Sequence, residues 1–324
     1  MAILNPKIIK AHAAHRLSAA APDPRRIILL HSGVVVLINL LSSGISIYLD
    51  SQIGTTGGLS GLGTRSILHT MHTFLRYTTL FFTPFWSAGI VFAALGRASG
   101  TQVGPKSLLT GFRRISSILS HQLLLMLLYF LIGFGCANVA SILFTMTPLS
   151  ADLISLLESM QAEGTLTMAA IEALPADTLI RAFLPMLVIY LAILIPSLIY
   201  LLYNLRLTIF LIMSGSQMSA MRAMLTSAAA MRGHKLQMVK LDLSFWWYYL
   251  AQAALMVILY ADVLLQMMGF DLPFDPIFSF FATLIVYCVL ELALHLWKKA
   301  EVETAYALAF QRIVAPEEQE AQSE

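Results

Sequence analysis

Charge is scarce in this chain. Asp, Glu, Lys and Arg together make up 12% of 324 residues, about half the share of a soluble domain. That scarcity excludes both an ordinary hydrated surface and an intrinsically disordered chain, which needs high charge and few apolar groups. Only two cysteines occur, Cys136 and Cys288. Both lie inside apolar runs, so a disulfide scaffold is excluded and the two thiols are expected to pack as small hydrophobes. The net charge is +2, too little to draw the chain to a nucleic acid. No nucleotide loop, no paired-histidine metal helix with an intervening Glu and no nucleophile elbow is present, so no enzyme activity and no cofactor are expected. What is abundant is apolar surface: 58% of residues, with a mean hydropathy of +0.77. The expected solvent for much of this polypeptide is lipid.

A helix needs about 20 apolar residues to cross a hydrocarbon core, and six segments qualify: roughly 27–49, 70–95, 119–146, 182–213, 245–268 and 276–297. The runs are continuous and do not alternate, which points to helices over a barrel. The expected fold is therefore an all-α, polytopic membrane helical bundle of six transmembrane helices. The fourth run is longer than one crossing needs, and Asn204 and Arg206 interrupt it before Leu207–Met213.

The cations sort by side. Seventeen of the 20 fall before span one, between spans two and three, after span four or after span six; Arg65, Arg76 and Arg181 alone fall opposite, among Asp50, Asp152, Glu158, Glu163, Glu172, Asp177, Asp271 and Asp275. By the positive-inside rule both termini are cytoplasmic. The polar stretch Met1–Pro24, with His12, His15 and Arg16, is followed by a full-length apolar run and no convincing cleavage site, so span one is expected to stay in the membrane.

Each outward-going span is preceded by a stretch that reads as an amphipathic helix at the cytoplasmic interface. Ile8, Ile9, Ala13 and Leu17 share one side of the first; Leu108, Leu109, Phe112 and Ile115 of the second; Met218, Met221, Leu225 and Ala228 of the third. The opposite face is dominated by the acidic connection 147–180, in which Ser150 can cap a short helix. After Trp297 the helix continues, with Val302, Tyr306, Ala309, Phe310 and Ile313 on one side. One integral membrane domain is expected over 1–313, with an acidic, disordered tail over 314–324.

Ionisable groups within spans are costly, so function is sought there first. Asp262 and Arg76 fall at equal depth near the outer ends of spans five and two; Glu291 and Arg206 fall toward the inner ends of spans six and four. Each couple can staple two helices or line a polar path. His69 and His72 share a face with Arg76, without a carboxylate or cysteine beside them in sequence to complete a metal site, and none is expected. His121 and His295 read as interfacial polar residues. Pro84 and Pro196 should kink their helices, Gly133, Ala137 and Ser141 form a groove for close helix approach, and Trp246, Trp247 and Trp297 fit an aromatic belt, whereas Trp86 should face protein or a cavity.

One stretch is specific: Ser227, then Met231, Arg232, Gly233, His234 and Lys235, then Lys240, Leu241, Asp242, Leu243, Ser244, Phe245 and Trp247. It resembles the signature of the bacterial domain-of-unknown-function family 975 of integral membrane proteins, and Tyr306 and Phe310 are similar to that family's terminal aromatic motif. The resemblance implies a bacterial plasma membrane and supplies no catalytic residue. Physically, Gly233 can end the interfacial helix in a left-handed turn; Arg232, His234 and Lys235 can meet anionic headgroups, each cation contributing about 1 kcal/mol; and Asp242 or Ser244 can cap span five. The expected partners are the lipid bilayer with its anionic headgroups and another membrane protein, and no nucleic acid. The expected role is that of a non-enzymatic membrane component. Transport of a small solute or lipid along the intramembrane charges is the alternative, and a membrane-embedded enzyme a remote one.

Overall fold

A computed structural model describes residues 4–20, 23–55, 62–162, 176–215, 218–261, 265 and 276–314. The α-helices are α1 (Pro6–Ser18), α2 (Pro24–Thr55), α3 (Leu62–Ala98), α4 (Ile115–Thr145), α5 (Ala151–Ala162), α6 (Ala176–Leu205), α7 (Thr208–Met213), α8 (Ala220–Ala230), α9 (Lys235–Ser244), α10 (Trp246–Leu259), α11 (Pro276–Leu294) and α12 (Ala300–Val314). A 3-10 segment, Pro105–Arg114, precedes α4, and a π-helical turn, His295–Lys299, joins α11 to α12. No strand occurs among the described residues. Among the described residues five helical stretches are long and apolar enough to cross a membrane: Pro24–Ile45, Phe81–Ala98, Pro105–Thr145, Phe183–Met213 and Phe281–Val314. The pair α9 and α10, bent by 68° at Phe245, makes a sixth if the two form one broken span. The chain is thus an all-α, multi-pass membrane helical bundle.

The residues facing outward state the solvent. Leu37, Leu41 and Ile45 on α2, Met126, Leu127, Phe130, Leu131 and Phe134 on α4, and Leu184, Leu187, Val188, Leu191 and Ile195 on α6 are all exposed. Water would not tolerate an apolar surface this continuous, and lipid requires it. Polar side chains within these helices turn back on their own backbone. Asn138 donates to the Phe134 carbonyl (2.7 Å), Ser197 to Ile193 (2.8 Å) and Asn204 to Tyr200 (2.9 Å), each four residues earlier. Where no water is at hand, this satisfies a side chain locally.

The described chain divides into two compact units, residues 1–119 with 207–324, and residues 120–206. The smaller holds most of α4 with α5 and α6. In it Cys136 and Ser197 approach with Sγ and Oγ 3.9 Å apart, and Gly133 faces the Tyr190 hydroxyl. Ser141 is exposed, so the small-residue groove extends over only part of its expected length.

In the larger unit the buried core gathers at the basic ends of the helices. Ile27 and Ile28 of α2, Trp86, Ile90 and Ala93 of α3, Leu108 and Ala300 pack as one cluster. The helix α12 is enclosed almost all round, from Val302 through Phe310, against α1 and α3, with Phe310 stacked on Phe210 (centroids 5.6 Å, 23°). Chain termini of the helices are set by local chemistry. Asn5 Oδ1 accepts from the Lys7 amide (3.1 Å) ahead of Pro6, and Asp23 Oδ1 from Arg25 (2.9 Å) ahead of Pro24, two N-caps with proline in the first turn. At Gly100 (φ 77°) the amides of Gly100 and Thr101 bond the carbonyls of Arg97 and Gly96, a Schellman closure of α3.

Several expectations are corrected here. The apolar side of α1 does not lie on lipid: Ile9 and Ala13 are fully buried, because α12, α9 and α3 cover them. The second expected interfacial helix is a 3-10 segment packed on α3, which splits its apolar set; Leu108 is buried, whereas Leu109 and Ile115 are exposed. Its close approach rests on Gly89, whose missing side chain admits the Leu108 backbone, and on Gly111, which abuts the Phe85 carbonyl. On α8, by contrast, the expected apolar face is not covered by protein: Met221 and Leu225 are exposed, while Ala220, Ala223, Met224 and Ser227 pack inward. The interruption expected in span four falls at Arg206 and Leu207; within the larger unit Leu207–Met213 is buried, with the Leu207 amide satisfied by Ser227 Oγ (3.1 Å).

Candidate functional site

Two regions of the larger unit gather polar chemistry. The first is the elbow formed by α8, the turn 231–234, α9 and α10. Gly233 sits at φ 83° with open space around it, so the left-handed backbone alone calls for glycine there. Arg232 and Lys240 are exposed, and His234 Nδ1 lies 3.4 Å from Gln237 Oε1. Around these polar groups stand exposed Leu236, Leu243, Trp246, Trp247 and Leu250. Aromatic and cationic side chains together at one level are the composition of a headgroup interface.

The remaining signature residues act inward. Asp242 Oδ1 accepts from the Tyr306 hydroxyl, which also meets the Tyr249 hydroxyl. Lys10 Nζ donates to the Ser244 carbonyl (2.8 Å) and stands 4.6 Å over the Phe245 ring. The expectation that Asp242 or Ser244 caps span five is corrected: Phe245 occupies the N-cap of α10 without a side-chain cap, and Ser244 Oγ donates backwards to the Leu241 carbonyl (2.7 Å). With Asp242 already engaged by Tyr306, the bend at Phe245 is held by α1 and α12.

The second region is a polar pocket of about 260 Å³ between α2, α3, α10 and α11, continued by the π turn. His31, Ser32, Thr83, Ser87, Gln252, Glu291, His295 and Lys299 line it, with Val35 as its apolar wall. Glu291, His295 and Lys299 recur at four-residue steps. An ordinary helix carries such a row slowly around its axis, and the wider π turn counteracts that drift, which places His295 and Lys299 with Glu291. Ser32 Oγ and His295 Nδ1 are 2.9 Å apart. His31 is 3% exposed, its ring stacks on Trp86 (6.2 Å, 15°), and its carbonyl accepts from Trp86 Nε1 (3.1 Å). Gln252 Nε2 donates to the Tyr248 hydroxyl (3.1 Å). Both ring nitrogens of His31 and Oε2 of Glu291 are buried without a hydrogen-bond partner among the described residues.

Of the two expected intramembrane couples, Asp262 and the side chain of Arg76 lie outside the described residues. Glu291 lines the pocket, while Arg206 belongs to the smaller unit, in the turn after α6. His295 is buried in the pocket wall, and His121, in the smaller unit, is buried as well. Trp86 faces the protein interior as expected. No group of three or more metal-ligating side chains occurs among the described residues. Sequence reasoning missed His31, Ser32, Gln252 and Lys299. The available signal was a row of polar residues at four-residue steps within span six, facing a His-Ser pair one turn into span one. Compared with protein-family models, curated proteins and solved structures, the chain matches none.

Proposed function

We propose that this chain is a non-enzymatic component of a bacterial plasma membrane, with both termini cytoplasmic, that holds anionic lipid or a membrane partner at the α8–α10 elbow. The observation that carries the reading is the elbow itself, where α9 meets α10 at 68° and exposed Trp246, Trp247, Leu236 and Leu243 occur in one short stretch of chain with exposed Arg232 and Lys240. The resemblance to family 975 and the sorting of cations to one side support the membrane and its orientation. Retention of phosphatidylglycerol over phosphatidylcholine through detergent purification tests it. Changing Arg232, Lys235 and Lys240 to Ala removes about 1 kcal/mol each of attraction, so the preference should fall steeply and should weaken with salt in the parent. An unchanged preference in the triple variant contradicts the reading.

A second reading, passage of a small solute, is favoured by one observation: a cavity reaches Glu291 within a span. Uptake into proteoliposomes, compared between the parent and Glu291→Gln, tests it.

A further inference from the structure

The pocket around His31 contains one carboxylate, Glu291, and one ammonium, Lys299, among neutral hydrogen-bonding groups. Eight residues separate the two, about 12 Å along an ordinary helix axis and somewhat less across a π turn. Lys299 stands toward the basic end of the helix, Glu291 further into the span. Lys299 is within electrostatic reach of Glu303 as well as Glu291, and Glu303 of Arg97 in turn. These four charges balance, so a guest with a net charge would upset that balance in a medium of low dielectric. A guest with both charges, ammonium inward and oxyanion toward Lys299, would match both.

Unspent hydrogen-bonding capacity points the same way. Buried polar atoms are nearly always satisfied, by protein, water or ligand. Here Glu291 Oε2 is left over at one end, and both nitrogens of His31, within electrostatic reach of Lys299, at the other. Water fills roughly 30 Å³ per molecule, so about 260 Å³ holds a compact organic molecule with few atoms to spare. Ser32 and Gln252 supply further polar contacts along the wall.

We propose that the pocket of His31, Ser32, Gln252, Glu291, His295 and Lys299 binds a small zwitterion, a primary ammonium linked through a short chain to an oxyanion. Glu291 Oε2 pairs with the ammonium, and Lys299 and His31 hold the oxyanion. This deepens the solute reading above by naming its substrate class, but binding does not depend on passage. The same chemistry is offered by a free amino acid and by the ethanolamine-phosphate headgroup of a lipid.

The test is the thermal stability of the full chain in detergent with glycine, β-alanine and γ-aminobutyrate, and with propylamine and propionate as singly charged counterparts. At least one amino acid should raise the melting temperature saturably, with no shift from the singly charged pair at equal concentration. Glu291→Gln should weaken that binding by at least about tenfold, as loss of a charged hydrogen bond does. His31→Phe, which keeps a ring on Trp86 and removes both nitrogens, should weaken it in the same sense and serves if the Glu291 variant does not fold. In a parallel arm, phosphatidylethanolamine and phosphatidylglycerol are compared for retention. If no free amino acid binds but phosphatidylethanolamine is preferred, and that preference is lost in Glu291→Gln, the headgroup is the source and the inference stands. Equal shifts from propylamine or propionate, binding unaltered in both variants, or no response to any zwitterion overturns it. Binding without proteoliposome uptake upholds the inference and removes the transport reading.

Discussion

A methyl group at Gly89 or Gly111 would run into backbone, the Leu108 main chain in one case and the Phe85 carbonyl in the other. Neither obstacle is a flexible side-chain end, so α3 and the 3-10 segment must separate. Gly89→Ala and Gly111→Ala should each cost 1–3 kcal/mol or more, visible as a lower melting temperature in detergent. Gly233 is the contrasting case. Its surroundings are open, so Gly233→Ala should cost only the left-handed strain, about 1 kcal/mol. If all three variants melt alike, the distinction between space and strain is wrong. Tyr306→Phe leaves Asp242 without the hydroxyl that reaches it from α12, at an expected cost of about 1–3 kcal/mol. Asp242→Asn combined with Tyr306→Phe should then cost less than the two single losses added together. This side of the motif was only half legible. Gly233 declares its conformation through its position after a helix, whereas the Asp242 carboxylate and the Tyr306 hydroxyl are 64 residues apart and nothing local pairs them.

At the scale of elements, spans were the easiest feature to read, because a run of about 20 apolar residues has few other uses. Their ends were harder. Leu207–Met213 is as apolar as the helix before it, yet is buried in protein, with Ser227 holding the Leu207 amide. The 3-10 segment misled for a related reason: its apolar residues suit a helix lying on a membrane, but two glycines let the backbone of α3 approach instead. The π turn left no sequence signal, although it sets the relation between the pocket and α12. Inserting one alanine after Lys299 would carry α12 round by about 100° relative to α11 and the π turn. Since α12 is buried almost all round, the insertion should unfold the basic end and lower the melting temperature more than any single substitution above. A variant that stays fully stable would show that the packing of α12 does not fix its register.

For the molecule as a whole, two solvents explain the distribution of residues. Leucine and phenylalanine face outward along α2, α4 and α6, where water would have driven them in. The buried core of the larger unit instead collects at the helix ends that carry the cations. Charge at that level suits connectors left in water, and the direction proposed above rests on the same asymmetry through the positive-inside rule. The acidic side is represented by Glu158 and Gln161 on α5, both exposed. The central claim is therefore a topological one, that the basic connectors stay in the cytoplasm and α5 lies outside. In a variant lacking Cys136 and Cys288, single cysteines at Arg232, Gln311 and Gln161 can be probed in intact cells with a membrane-impermeant maleimide. Labelling at Gln161 alone, with Arg232 and Gln311 reacting only after the membrane is opened, is the predicted result; labelling of Arg232 or Gln311 in intact cells would contradict it.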